Sequence, residues 1–123
     1  MRVIVAAAVF SLLASAAYAG DQGDTERLCN SGNTFDMVEC LKAKTAQWDK
    51  RLNVAYQQAL KDATSDKQRG QLRDAQRLWI QYRDANCLYF GLGEGTIARL
   101  EAGECMRRTT EARARELEDT SKQ

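Results

Sequence analysis

The stretch Leu72-Arg73-Asp74-Ala75-Gln76-Arg77-Leu78-Trp79-Ile80-Gln81-Tyr82-Arg83-Asp84-Ala85-Asn86-Cys87 decides the fold. Leu72, Ala75, Trp79, Tyr82, Asn86 and, just beyond, Phe90 recur at steps of three and four. That spacing lines side chains along one face of an α-helix. Ser65 with Gln68 is a capping-box pair that opens this helix, and Gly91, Gly93 and Gly95 close it. The chain has no proline, so nothing kinks a helix from within.

Upstream, Ser31-Gly32-Asn33-Thr34 is a cluster of turn and N-cap residues. Met37, Leu41, Trp48, Leu52, Tyr56 and Ala59 then form the stripe of an earlier helix ending near Ala63. Downstream, Thr96 is the N-cap of a third helix carrying Ile97, Leu100, Met106 and Leu117. Gly103 lies inside it and is expected to break it into two pieces, at about 1 kcal/mol relative to Ala. The first two helices meet at Thr64-Ser65, a tight turn, and so make an antiparallel hairpin. Its register sets Asn53 opposite Gln76, Asp49 near Ile80 and Arg83, and Cys40 near the level of Cys87. The expected fold is all-α: a long antiparallel helical hairpin plus a third helix, stapled by two disulfides.

The start of the chain reads differently. Arg2 precedes an apolar run from Val3 that is too short to span a bilayer, and Ala17-Tyr18-Ala19 is an A-x-A cleavage site. Residues 1–19 therefore read as a signal peptide, and residues 20–123 as the single domain. An uncleaved membrane anchor is the competing reading, disfavoured by the well-formed site. A periplasmic or secreted protein follows, with no membrane anchor after cleavage. The first ten residues after the leader and the last five are expected to be loosely held.

Removing Arg2 from 18 basic residues leaves 17 against 17 acidic ones, so the mature chain is neutral. A nucleic-acid binder or an anionic-membrane binder would carry a basic excess. Arg107, Arg108, Arg113 and Arg115 alternate with Glu111, Glu116, Glu118 and Asp119 on the third helix, which reads as a solvated face.

Cys29, Cys40, Cys87 and Cys105 all lie after the leader. An even count in a small exported chain reads as two disulfides. Zinc is disfavoured, because there is no C-x-x-C knuckle and no histidine. Two pairings are open. Cys29–Cys40 with Cys87–Cys105 is the local set, and Cys40–Cys87 with Cys29–Cys105 ties the helix ends together. The local set is favoured because each bond closes a short loop at a helix terminus.

Catalysis has no visible seat here. There is no histidine and no G-x-S-x-G elbow, and the carboxylates sit on helix faces among basic neighbours. The chain reads as non-enzymatic, with no cofactor. Trp48 and Trp79 read as core anchors rather than exposed binding aromatics. Gln76 with Asn53, and Arg83 with Asp49 or Asp84, read as polar groups satisfying one another at the core edge. The loop Gly91-Leu92-Gly93-Glu94-Gly95-Thr96 is the best contact surface, since its glycines let the backbone approach a partner closely. A phosphate-loop reading fails, for no strand precedes it and no lysine sits where one is needed. A plain helix connection is the competing reading.

Leu52-Asn53-x-x-Tyr56, the 72–87 stretch, Gly93-Glu94-Gly95-Thr96, Cys105 and the Thr110, Arg113, Leu117 series together resemble the LprI-like lysozyme inhibitor family. The resemblance spans residues 29–117 in order, and its W-x-x-Y-R-D-A-x-C run is specific. Glu94 departs from the family's plain Gly-Gly-Ser/Thr turn and makes the loop tip more negative. The resemblance implies a protein partner, lysozyme among the candidates, and inhibition by binding and cleft occlusion. It implies mainly structural roles for Asn53, Tyr56, Gln76, Trp79, Tyr82, Arg83 and Asp84. Tyr89, Gly93, Glu94, Gly95 and Thr96 are the candidate partner contacts. The alternative is an envelope interaction or scaffold module that inhibits nothing, an immunity protein of a secretion system included.

Overall fold

A computed structural model describes residues 16–122. Four helices follow one another: α1 Ala16–Asn30, α2 Thr34–Asp62, α3 Asp66–Gly91 and α4 Ile97–Thr120. The leader assigned to residues 1–19 falls mostly outside the described residues.

The helix starts are built as the sequence signals them. Gly32 turns the chain at φ 77°, and the Asn33 side chain accepts the Asp36 amide at 2.8 Å to begin α2. The Ser65 hydroxyl accepts the Gln68 amide at 3.1 Å to begin α3. The Gln68 carbonyl oxygen reaches back to the Thr64 amide at 2.7 Å, one residue before the position a standard capping box uses. Arg69 then donates to the Ala63 carbonyl at 2.8 Å, so a side chain of α3 satisfies the end of α2.

α2 and α3 form the hairpin, and α4 binds its two legs together. α4 packs most extensively on α2 and next on α3, while the legs make far less backbone contact with each other. α4 runs parallel to α2, with Gly103 beside Leu41 and Glu118 beside Arg51. It runs antiparallel to α3, with Cys105 bonded to Cys87 and Arg113 beside Gln76. The disulfides are Cys29–Cys40, which ties α1 to α2, and Cys87–Cys105. The local pairing is the one formed.

Leu52, Ala55, Ala59, Ala114 and Leu117 make the core, with Trp48, Tyr56, Leu72 and Trp79 packed against it. This core occupies the end of the bundle nearest the α2–α3 turn. Trp48 lies between two guanidinium groups, Arg51 at 4.2 Å and Arg115 at 4.7 Å from its ring centre. Arg51 in turn grips Glu118 with two hydrogen bonds of 2.9 and 2.8 Å, clamping α2 to α4.

Four expectations need correction. The first ten residues after the leader, expected to be loosely held, are helical as part of α1, which packs on α2 and is bonded to it. α4 persists to Thr120 instead of fraying over its last residues. Gly103 does not divide α4; a Cβ there would lie 3.1 Å from Leu41 Cδ1 and 3.3 Å from Leu41 Cβ, so the glycine sits at a close approach of α2 and α4. The buried face of α3 is rotated from the expected stripe: Gln76 and Cys87 are buried and Arg83 half-buried, whereas Ala75 and Tyr82 are exposed.

Candidate functional site

Away from the core, the hairpin legs stand apart with α4 between them, and an open groove of about 1160 Å³ results. The first half of α2, the last half of α3 and the first half of α4 supply its walls. Val38, Ala46, Ala102 and Met106 give it an apolar lining, and Phe35 and Leu88, both largely exposed, stand at its lips. Charges dot the rim in compensating pairs, Lys42 with Glu39 at 2.7 Å and Arg83 with Asp84 at 2.9 Å. Arg99 and Asp49, which also line it, make no ion pair among the described residues.

The 91–96 loop closes one end of this groove, with Gly91 and Thr96 in its lining. It is a tight connection. The Leu92 amide donates to Leu88, the Gly93 amide donates to Phe90 at 3.1 Å, and Gly95 turns the chain at φ 73°. A Cβ on Gly93 would lie 3.2 Å from the Phe90 carbonyl oxygen, so a side chain there would crowd the turn. The buried Cys87–Cys105 bond holds the helices on both sides of the loop. Thr96 precedes α4 without capping it through its side chain. The loop's tip, from Leu92 to Thr96, is exposed throughout.

The structure brings some of the sequence-selected residues together and disperses others. Gly93, Glu94, Gly95 and Thr96 form the loop beside the groove. Tyr89 is exposed one turn earlier, its ring edge-on to Phe90 at 5.3 Å. Asp84, Leu88 and Gly91 line the groove, and Tyr89 lies about 100° further round the helix from Leu88, away from it. Arg83 and Asp84 pair with each other, and the Arg83 guanidinium covers the Trp79 ring at 5.0 Å. Tyr56 packs on the core, and Tyr82 and Asn53 are exposed.

The partner of Gln76 is not Asn53. Its side-chain oxygen accepts the Arg113 Nε–H at 3.0 Å, and Arg113 also pairs with Glu116 at 2.8 Å. The Arg113 side chain is 12% exposed, so the charged face of α4 is not wholly solvated as its charge alternation suggests. Arg107 likewise bridges Glu104 and Glu111 in one half-buried ladder, which Arg115 extends through Glu111. Glu104 and Glu111 are held below the ordinary glutamate range by the arginines that donate to them, Arg107 and Arg115 respectively. The sequence signal that could have placed Arg113 is its spacing of three from Thr110 and four from Leu117, both buried.

With all four cysteines bonded, the chain has no thiol to act as nucleophile or ligand. The site presents an apolar groove, a tight exposed loop at one end and rim charges of both signs. No curated protein and no solved structure matches the chain. A family model described as lysozyme inhibitor LprI matches residues 27–117, which takes in α2, α3, both disulfides, the groove and most of α4. The chain therefore belongs to the LprI lysozyme inhibitor family.

Proposed function

We propose that the protein is an exported, non-enzymatic inhibitor of lysozyme-type peptidoglycan hydrolases, and that it acts by seating the 93–96 loop in the enzyme's cleft. Family membership supports the first part. The observation that carries the second is the loop itself: exposed, short, and braced by a buried disulfide at its base. A loop already fixed in shape loses little entropy on binding.

Lysozyme-type enzymes work through two carboxyl groups facing each other across a cleft. The uncapped start of α4 and the Thr96 hydroxyl offer hydrogen-bond donors to such groups. Glu94 at the tip and Arg99 at the groove's edge supply one charge of each sign. A neutral mature chain has no long-range field to draw it onto a cationic enzyme, which favours plugging the cleft over coating its rim. Groove lips Phe35 and Leu88 extend the contact beside the loop. Tyr89 stands outside this surface. The leader over residues 1–19 and the two disulfides support export to the periplasm or beyond.

The test is bacterial-cell lysis by a panel of lysozymes, with and without the oxidised protein. Dose-dependent protection against one class is the expected result. Deleting residues 94–96 removes that protection while the helical circular dichroism persists. Full protection by the deleted form refutes the loop as the contact. No protection against any class, by a folded protein, refutes inhibition and leaves an envelope interaction module.

A further inference from the structure

α3 and its C-cap residue Leu92 carry a second stripe that neither the core nor the groove uses. Ala75, Leu78, Tyr82, Ala85, Tyr89 and Leu92 follow one another at alternating steps of three and four. That is an average period of 3.5, the repeat of a coiled-coil seam. Every one of the six is exposed: Leu78 at 64%, Tyr82 at 61%, Tyr89 at 74% and Leu92 at 76%, with both alanines in the open. The groove is lined by Asp84, Leu88 and Gly91, and Gln76 and Cys87 turn toward α4. The seam occupies the remaining side of the helix. A surface helix ordinarily carries one apolar stripe, and four large apolar side chains in a row facing water mark a contact surface.

We infer that this seam pairs with the same seam of a second copy, in antiparallel orientation about a two-fold axis between Arg83 and Asp84. The argument is self-complementarity. Antiparallel pairing sets Ala75 across from Leu92 of the second copy, Leu78 across from Tyr89, and Tyr82 across from Ala85. In the two layers containing alanine, a small residue makes room for a large one, as close packing requires. Parallel pairing stacks Tyr82 on Tyr82, Tyr89 on Tyr89 and alanine on alanine, which alternates collisions with voids. Near the axis the residues flanking the seam are Gln81 and Asn86, both neutral amides, so no like charges meet. A surface that matches itself under a two-fold closes as a dimer and goes no further.

The size of the contact places it among known interfaces. The seam is about 26 Å long at the helical rise per residue. Covering it on both copies removes on the order of 1,100 Å² from water, near the lower bound of specific interfaces. An interface of that size belongs with the weak, transient ones, so the dimer is reversible. Its two grooves lie off the seam, and residues 93–96 of its two loops lie beyond the seam's opposite ends, so both copies remain open to a partner. This inference stands independently of the inhibitor reading.

The test is sedimentation equilibrium on the oxidised protein as the cell exports it, from micromolar to millimolar concentration. A reversible monomer–dimer equilibrium is expected. Leu78→Glu, at an exposed position, shifts it toward monomer by roughly a hundredfold or more while the circular dichroism is unchanged. Ala85→Leu separates the two orientations. It crowds Tyr82 of the second copy and weakens an antiparallel dimer by roughly tenfold to a hundredfold, whereas it fills a void and tightens a parallel one. A monomer at every concentration overturns the inference. So does a dimer that Leu78→Glu leaves intact, or one that Ala85→Leu strengthens.

Discussion

Two glycines inside helices respond oppositely to the same substitution. Gly103→Ala and Gly70→Ala each gain about 1 kcal/mol of helix propensity, because alanine restricts the unfolded backbone more than glycine does. At Gly70 of α3 a Cβ meets nothing within 4 Å, so that gain stands alone. At Gly103 of α4 the new methyl falls 3.1 Å from Leu41 Cδ1 and 3.3 Å from Leu41 Cβ. The first contact yields to a rotamer change, but the second atom is fixed to the α2 backbone. Relief requires α2 and α4 to part by a few tenths of an ångström along their most extensive contact, at about 1–3 kcal/mol for overpacking. The net expectation is stabilisation by about 1 kcal/mol for Gly70→Ala and destabilisation by about 1 kcal/mol for Gly103→Ala. Urea unfolding followed by circular dichroism reads both, and the melting temperatures separate by about 8–16 °C for a domain of this size. Equal stabilisation by both substitutions refutes the close approach of α2 and α4 at Gly103.

Replacing Cys87 and Cys105 together by Ala costs about 3 kcal/mol in the chain-entropy model, as does replacing Cys29 and Cys40; only the first pair braces the loop, so only its loss should weaken lysozyme protection measured on folded protein. Arg113→Met leaves the buried Gln76 amide unpaired at about 1–3 kcal/mol, and adding Gln76→Leu recovers most of that loss in a double-mutant cycle by urea unfolding. Glu104, Glu111 and Glu118 have folded pKa values below the usual 4.5, set by hydrogen bonds from Arg107, Arg115 and Arg51. Their contribution is complete above the unfolded value and is lost as pH falls through the folded one, so the melting temperature should drop only below pH 4.5. With no histidine in the chain, a change in stability between about pH 5 and 8 contradicts this account.

Local signals were legible where a single residue type settles a backbone problem. Ser65 marks the start of α3 to the residue, the Ser31–Thr34 cluster brackets the start of α2, and short loops at helix ends favoured the cysteine pairing that forms. α1 escaped because residues 20–30 hold few apolar side chains and two glycines; packing on α2 and a disulfide, not a stripe, hold it. On α3 two overlapping stripes compete. Hydrophobicity favours Ala75 and Tyr82, but α4 offers Gln76 an arginine and Cys87 a disulfide, and those contacts set the rotation of the helix. The loop was visible in its glycines. The groove was not, since it exists only because α4 holds the hairpin legs apart.

The parallel pairing of α2 with α4 has a consequence for how the chain folds. Its clamp joins Arg51 to Glu118, 67 residues apart, so the largest contact surface forms only after a long loop has closed. The disulfides span only 11 and 18 residues. Both bonds are reachable while the helices are still independent. Oxidation at Cys87 and Cys105 fixes the α3–α4 corner and shortens the search that remains. A shorter loop costs less entropy to close, so the chain reaches its local cysteine pairs more readily than the Cys40–Cys87 and Cys29–Cys105 alternatives.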